Sequence, residues 1–178
     1  MSQREIQGSL FLIGFMGAGK SAVSARFHEF YGMKLLEMDQ EIERREKMSI
    51  SRIFREKGEE YFRRLETELL GELKGSSGIV VSCGGGAAMR DENVRRMKEA
   101  GKVVLLRAEP ETVLQRIADS EDRPLLQGRK TPQGIRELME QRQPRYEAAA
   151  DFAVDTDGKT VDQICREILE KISGPESF

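Results

Sequence analysis

The chain is poor in several features that would place it in a familiar class. Of its 178 residues only two are cysteines, Cys83 and Cys165, so no disulfide framework and no metal-binding spacing can be drawn from them. Cys83 follows the apolar run Ile79-Val80-Val81, and Cys165 falls on the apolar side of a helical pattern. Both are therefore expected as buried, reduced thiols, which suits a reducing cytoplasm. No apolar run approaches the ~20 residues of a membrane span. Residues Met1 to Ser9 lack the apolar stretch of a secretory signal. Excess charge of one sign is also missing: 29 Lys and Arg stand against 31 Asp and Glu, a net charge of −2. No basic field is present to favour nucleic acid or an anionic membrane. With 38% hydrophobic and 34% charged residues, the composition predicts one domain over residues 1–178, with a sizeable core and a polar surface. Internal repeats and low-complexity segments are absent, and nothing resembles a zipper or a large exposed apolar face, so a monomer is the expectation.

Against that background one motif stands out. Residues 14–21 read Gly-Phe-Met-Gly-Ala-Gly-Lys-Ser, a complete G-x-x-x-x-G-K-[S/T] phosphate loop. Gly14, Gly17 and Gly19 allow a tight backbone curl with N–H groups turned inward, and those of Ala18 and Ala22 belong to the same cradle. Lys20 supplies a point charge for the β- and γ-phosphates, and the Ser21 hydroxyl can take a place on Mg²⁺. The context fits: Leu10-Phe11-Leu12-Ile13 is a buried-strand run just before, and Ala22 to Tyr31 is helix-competent just after. The helix start adds its positive dipole end. The chain is expected to bind a nucleoside triphosphate. His28, the only histidine, is expected to be an ordinary helix-surface residue.

Strand-like runs recur at Leu10–Ile13, Leu35–Met38, Ile79–Cys83, Val103–Leu106 and Phe152–Val154. Each is short and apolar without clean alternation, as in parallel strands covered on both faces. Between them Phe62, Leu65, Leu69 and Leu73 share a helical face, as do Val161, Ile164, Ile168 and Ile172. Gly32 and Gly101 are expected to stop helices, and Ser49 and Asp91 to cap their starts. The alternation predicts an α/β fold: a three-layer α/β/α sandwich around a five-stranded parallel sheet, the P-loop kinase fold. Residues Ser120 to Lys130 are polar and lack helical periodicity, and so read as a free excursion.

Ligands of such sheets bind beyond the carboxyl ends of the strands. Glu37-Met38-Asp39 follows the second strand, and Gly84-Gly85-Gly86 follows the third. Three adjacent glycines present bare backbone N–H groups to a small polar ligand. On the intervening helix Arg63 precedes Glu66 by three residues, on one face. Arg64 with Glu68 reads as a surface ion pair. The run Glu41 to Lys47 and the pair Arg95-Arg96 read as solvated helix faces.

The ordered set GFMGAGKS, E-M-D, IFREKGEEYFRRLE, SCGGGA, RPLL and RQPRY resembles the shikimate kinases over nearly the whole chain. The resemblance implies transfer of the γ-phosphoryl of ATP to the 3-hydroxyl of shikimate, with Mg²⁺ as cofactor and no nucleic acid or membrane partner. It implies that Asp39 holds the ring hydroxyls and either accepts the proton of the attacking hydroxyl or orients that hydroxyl. Arg63, Arg142 and Gly84, Gly85 and Gly86 hold the rest of the acceptor. Two converging arginines would form a planar fork for its carboxylate. Glu66 would steady the arginine from behind, and Phe54 and Phe62 would wall the pocket, although core packing serves Phe54 equally well. Residues about 37–66 thus form the acceptor region. Residues about 118–130 form a mobile lid whose Arg123 would swing over the phosphates. Arg116 matches a position against adenine, and the turn from Asp155 to Thr160 corresponds to the adenine loop.

Two departures accompany the resemblance. The family's acidic motif reads D-x-D, whereas Glu37 stands first here; its carboxylate is expected to reach the metal through water, with activity retained. The phosphate loop continues into Ala22 where the family has threonine, and Ser21 alone can supply the metal-side hydroxyl. Two other readings stay open: a related kinase for another polyol acid such as gluconate, and a non-catalytic nucleotide-binding module.

Overall fold

In the computed structural model, residues 6–117 and 131–174 are described. Five strands, β1 (Ser9–Ile13), β2 (Lys34–Glu37), β3 (Ile79–Ser82), β4 (Gly101–Arg107) and β5 (Phe152–Asp155), form one parallel sheet in the order β2-β3-β1-β4-β5. Leu10 lies opposite Val80 on one side and Lys102 on the other. Alternation along each strand sorts the core into two layers. Leu10, Leu12, Val80, Val104 and Leu106 face one way, toward α1 (Lys20–Tyr31) and α8 (Val161–Ser173), where they meet Val23, Phe27, Ile164 and Ile168. Phe11, Ile13, Val81, Val103 and Leu105 face the other way. That layer contains α2 (Met38–Glu46), α3 (Ile50–Lys57), α4 (Glu59–Glu72), α5 (Asp91–Ala100), α6 (Pro110–Ile117) and α7 (Pro132–Ala149). The three-layer α/β/α sandwich is therefore as expected, and both cysteines lie buried within it.

Local chemistry explains most element ends. Gly32, in left-handed conformation at φ 70°, closes α1, and Ser49 caps α3 by accepting the Arg52 N–H. Asp91 departs from its expected capping role. It is the first helical residue of α5, its carboxylate accepts from Arg145 at 2.6 Å, and Arg90 precedes it at the cap. An acid in the first turn still matches the positive end of the helix dipole. Arg96 is not simply solvated: it donates to the Thr67 carbonyl and to Glu92. It lies over Gly71, which leaves room for its guanidinium in the last turn of α4. The expected lid about residues 118–130, with Arg123, lies outside the described residues. Among the described residues, no helix is long and apolar enough to cross a membrane.

The strand order puts β1 between β3 and β4, so the chain leaves β1 for β2 across β3 and leaves β3 for β4 across β1. The crevice at this switch is where such sheets bind ligands. The β1 exit carries the phosphate loop and the β3 exit carries the three glycines. Cys83 N–H donates to the Leu12 carbonyl at 3.0 Å, tying the two exits together.

Candidate active site

A cavity of about 480 Å³ opens over that crevice. Its walls come from the phosphate loop, the start of α2, the inner faces of α3 and α4, the β3 exit, α6 and α7.

The phosphate loop forms as its residues dictate. Gly17 and Gly19 sit at φ 78° and 101°, a region that residues with a β-carbon seldom enter. Gly19 is the N-cap of α1, so the helix begins at Lys20 and its free N–H groups face the cavity. The Lys20 ammonium curls over the loop and donates to the carbonyls of Gly14 and Phe15 at 2.7 and 3.0 Å. Ser21 and Ala22 line the cavity from the first turn. Ala18 does not: its side chain is buried and its N–H closes back on the Phe15 carbonyl at 3.1 Å. Arg116 reaches in from α6 and donates to the Gly17 carbonyl at 2.8 Å, which fixes the guanidinium at the mouth.

At the end of β2, Glu37 directs its carboxylate back at α1. Its two oxygens accept from the hydroxyls of Ser21 and Ser24, each at 3.2 Å. Met38 is buried and starts α2, which places Asp39 in the first turn with its carboxylate in the cavity. Among the described residues, no group of three or more His, Cys, Asp or Glu could hold a metal ion by itself. The hydroxyl of Ser21 beside Glu37 is a hard-oxygen pair. Such a pair suits Mg²⁺ only when phosphate oxygens and water complete the shell.

The opposite wall carries two arginines and a glutamate, all buried. Glu66, on α4, is fully buried and accepts from Arg63 Nη1 at 2.8 Å. Burial pushes its carboxyl up to about 7; Arg63 opposes that rise, Asp39 adds to it and Arg142 opposes it. Arg63 also meets Glu59, at 3.2 Å, so its guanidinium is gripped from both sides. Arg142 is a buried residue of α7 that turns its head into the same cavity, and its buried Nη1 has no hydrogen-bond partner among the described residues. The adjacent glycines are what permit this crowding. A Cβ on Gly84 would lie 2.6 Å from Glu66 Oε1 and 2.9 Å from Asp39 Oδ1, and one on Gly86 would lie 2.5 Å from Arg63 Cζ. Gly85 approaches Arg142 Nη1 at 3.4 Å by the same measure. Bare backbone is therefore required here by the packing of charged side chains as well as by access.

Phe54 and Phe62 both line the cavity, their ring centroids 5.1 Å apart. Phe62 is buried among core residues and Phe54 is partly buried against them, so for Phe54 the wall and the core are one role. The spacing reading Arg64–Glu68 holds as a surface pair at 3.7 Å. His28 is exposed on α1, outside the cavity, and its ring meets the Met33 carbonyl at 2.7 Å.

Sequence reasoning missed three residues. Glu43 was read as part of a solvated face, yet it lines the cavity one turn beyond Asp39; the i,i+4 spacing was the available signal. Ser24 lies one turn beyond Ser21 and gave no signal until Glu37 was seen to turn back. Tyr146, within the RQPRY run, donates its hydroxyl to the Gly85 carbonyl at 2.5 Å and so pins the glycine turn from behind.

Comparison with known proteins gives a single answer. The shikimate kinase family model matches residues 16–173. A shikimate kinase of Persephonella marina is 45% identical over 164 residues, which is 92% of this chain and 98% of that one. A shikimate kinase from Acinetobacter baumannii, solved in complex with shikimate, superposes with a TM-score of 0.90 at 34% identity, covering 98% of this chain and 97% of that chain. A gluconokinase from Sinorhizobium meliloti, at 20% identity and a TM-score of 0.61 over 96% and 94% of the two chains, shares the fold alone. With the motifs, the fold and the cavity in agreement, the chain belongs to the shikimate kinase family.

Proposed function

We propose that the chain transfers the γ-phosphoryl group of ATP to the 3-hydroxyl of shikimate, giving shikimate 3-phosphate and ADP. One observation carries this reading to the residues: a phosphate loop and a pair of buried arginines open into one cavity. A nucleotide on the first and a ring carboxylate on the second would face each other across it. Family membership supports the same reaction.

The roles follow from the chemistry. Backbone N–H groups of Gly17 and of Gly19 to Ala22 and the Lys20 ammonium would take the phosphates, and Arg116, held at the loop mouth by the Gly17 carbonyl, would lie against the base. Arg63 and Arg142 take the acceptor carboxylate as a planar fork, with the bare backbone of Gly84 to Gly86 beside it. Asp39 orients the attacking hydroxyl or accepts its proton. Glu66 holds Arg63 in place. Ser21 and Glu37 would hold Mg²⁺, Glu37 through water; when bound, the ion neutralises phosphate charge. Phosphoryl transfer through a loose transition state asks mainly for positioning and positive charge. Lys20 supplies that charge from this wall, and Arg123, which lies outside the described residues, would supply it from the lid. Water exclusion on closure would strengthen both. A cytoplasmic monomer is the accompanying proposal, in keeping with the near-neutral charge balance.

The test is ADP release with MgATP and shikimate, run beside gluconate, a nucleoside monophosphate and no acceptor. Shikimate-dependent turnover is expected. Hydrolysis without acceptor, or turnover only with another acceptor, would refute the roles given to Asp39, Arg63 and Arg142 while leaving the phosphate loop standing.

A further inference from the structure

We propose that Ser24 is a positioning residue for the metal side of the nucleotide site: it clamps the Glu37 carboxylate, and through it the Ser21 hydroxyl, from a helical turn below. The proposal rests on the reading of Ser21 and Glu37 as the metal-facing pair.

The geometry is specific. Ser21 and Ser24 lie three residues apart on α1 and therefore on one face. Each hydroxyl meets a different oxygen of the same carboxylate, Ser21 with Oε2 and Ser24 with Oε1, both at 3.2 Å. A carboxylate held at one oxygen can still rotate about its last bond; held at both, it cannot. Ser24 is fully buried and its contact with the half-buried Glu37 is part-buried, so its hydroxyl must find its partner inside the protein.

A serine in a helix can satisfy itself without a site, by bonding back to a carbonyl one turn earlier. Ser24 has that option, since the Ser21 carbonyl is 3.0 Å away. Its one proton cannot serve both acceptors fully, and a carboxylate is the stronger of the two. The Ser21 hydroxyl has the complementary task. Donating its proton to Glu37 leaves its lone pairs turned away from the carboxylate, available to a cation. Ser24 thus acts two contacts removed from the metal: it fixes Glu37, Glu37 fixes the Ser21 proton, and the proton fixes where the lone pairs point.

The clamp also bears on glutamate at position 37. Shortening that side chain by one carbon–carbon bond, roughly 1.5 Å, would draw the carboxylate away from α1, and contacts already at 3.2 Å have little range to lose. The longer side chain is what lets the carboxylate reach both serines, and Ser24 keeps that extra length from becoming extra freedom.

The experiment is a titration of ADP onto Ser24→Ala by calorimetry, without metal and across a series of Mg²⁺ concentrations, in the wild-type and Glu37→Ala backgrounds. Loss of one hydrogen bond to a charged group is expected to raise the half-saturating Mg²⁺ concentration about tenfold. Metal-free ADP affinity should stay at the wild-type value. In the Glu37→Ala background the same substitution should change neither quantity, because the contact it removes is already gone. An unaltered Mg²⁺ response in Ser24→Ala overturns the proposal, and so does an equal shift in both backgrounds. Loss of metal-free ADP binding overturns it as well, since Ser24 would then serve only to pack the helix. The readout needs no acceptor, so failure of shikimate turnover is distinguishable from failure of the clamp.

Discussion

Replacing Gly86 by alanine is the sharpest perturbation the site offers, because the backbone itself would tolerate it. Gly86 sits at φ −98°, ψ −1°, a conformation open to any residue. The obstacle is Arg63, whose Cζ and Nη2 would both lie 2.5 Å from the new Cβ. Carbon atoms settle at about 3.5–4.0 Å, so the guanidinium must retreat by roughly 1 Å. Its retreat is opposed on two sides, by Glu66 at 2.8 Å and Glu59 at 3.2 Å, in a place where the side chain is nearly buried. Overpacking of this kind costs about 1–3 kcal/mol, against about 0.4–1 kcal/mol recovered from a stiffer unfolded chain. The expected fall in Tm is therefore modest, no more than about 10 °C for a chain of this length. The catalytic effect should be larger, since a displacement near 1 Å in a positioning group costs about 10²-fold. Steady-state kinetics would show kcat/KM for shikimate falling by about that factor while the KM for ATP stays put. A value within about twofold of wild type, in a folded variant, would refute the reasoning that this glycine exists to admit Arg63.

Three further expectations rest on neighbouring groups. Glu66 has its carboxyl raised to about 7 by burial, above its ordinary 4.5, so the stability it contributes is full below the ordinary value and is lost as pH rises through about 7. Shikimate affinity should weaken over the same range as the carboxylate forms beside the arginines, and Glu66→Gln should flatten both profiles; a titration with unchanged slopes would count against it. Arg142→Lys exchanges a planar fork for a point charge, and the KM for shikimate should rise about 10- to 100-fold with nucleotide affinity unchanged. Tyr146→Phe removes the hydroxyl that holds the Gly85 carbonyl; a cost of about 1–2 kcal/mol in thermal unfolding and a several-fold rise in shikimate KM are expected, and an unaltered KM would confine Tyr146 to the core.

Much of the fold was legible because buried parallel strands and amphipathic helices leave periodic traces. All five strand runs fall on β1 to β5 with ends shifted by at most two residues, as at β4, where Gly101 opens the strand rather than merely ending the helix before it. Ser49 was readable as a cap because a serine before a helix has one common use. Asp91 was not, because its carboxylate goes to Arg145, 54 residues away in sequence, and no local pattern announces such a partner. The same limit governs the site. The phosphate loop is one continuous segment, so its chemistry could be read directly. The acceptor wall joins α2, α4, the β3 exit and α7, and only the family resemblance joined those residues in advance. Glu43 and Ser24 escaped because each repeats, one turn later, a position whose importance depends on something across the cavity.

That assembly from distant segments explains an arrangement which would otherwise be poor for stability. A fully buried glutamate whose carboxyl is driven up to about 7 is a worse core residue than an apolar one of similar volume. A protein selected for stability alone would have no use for it, or for three glycines laid against charged side chains. Both make sense if the quantity being protected is the direction of Arg63. An arginine carries about 2 kcal/mol of rotamer freedom, and one free to wander would spend that freedom each time an acceptor bound. Gripped by Glu66 and Glu59 and seated over Gly86, it would meet the proposed acceptor already ordered. The stability given up in folding returns as preorganisation in binding.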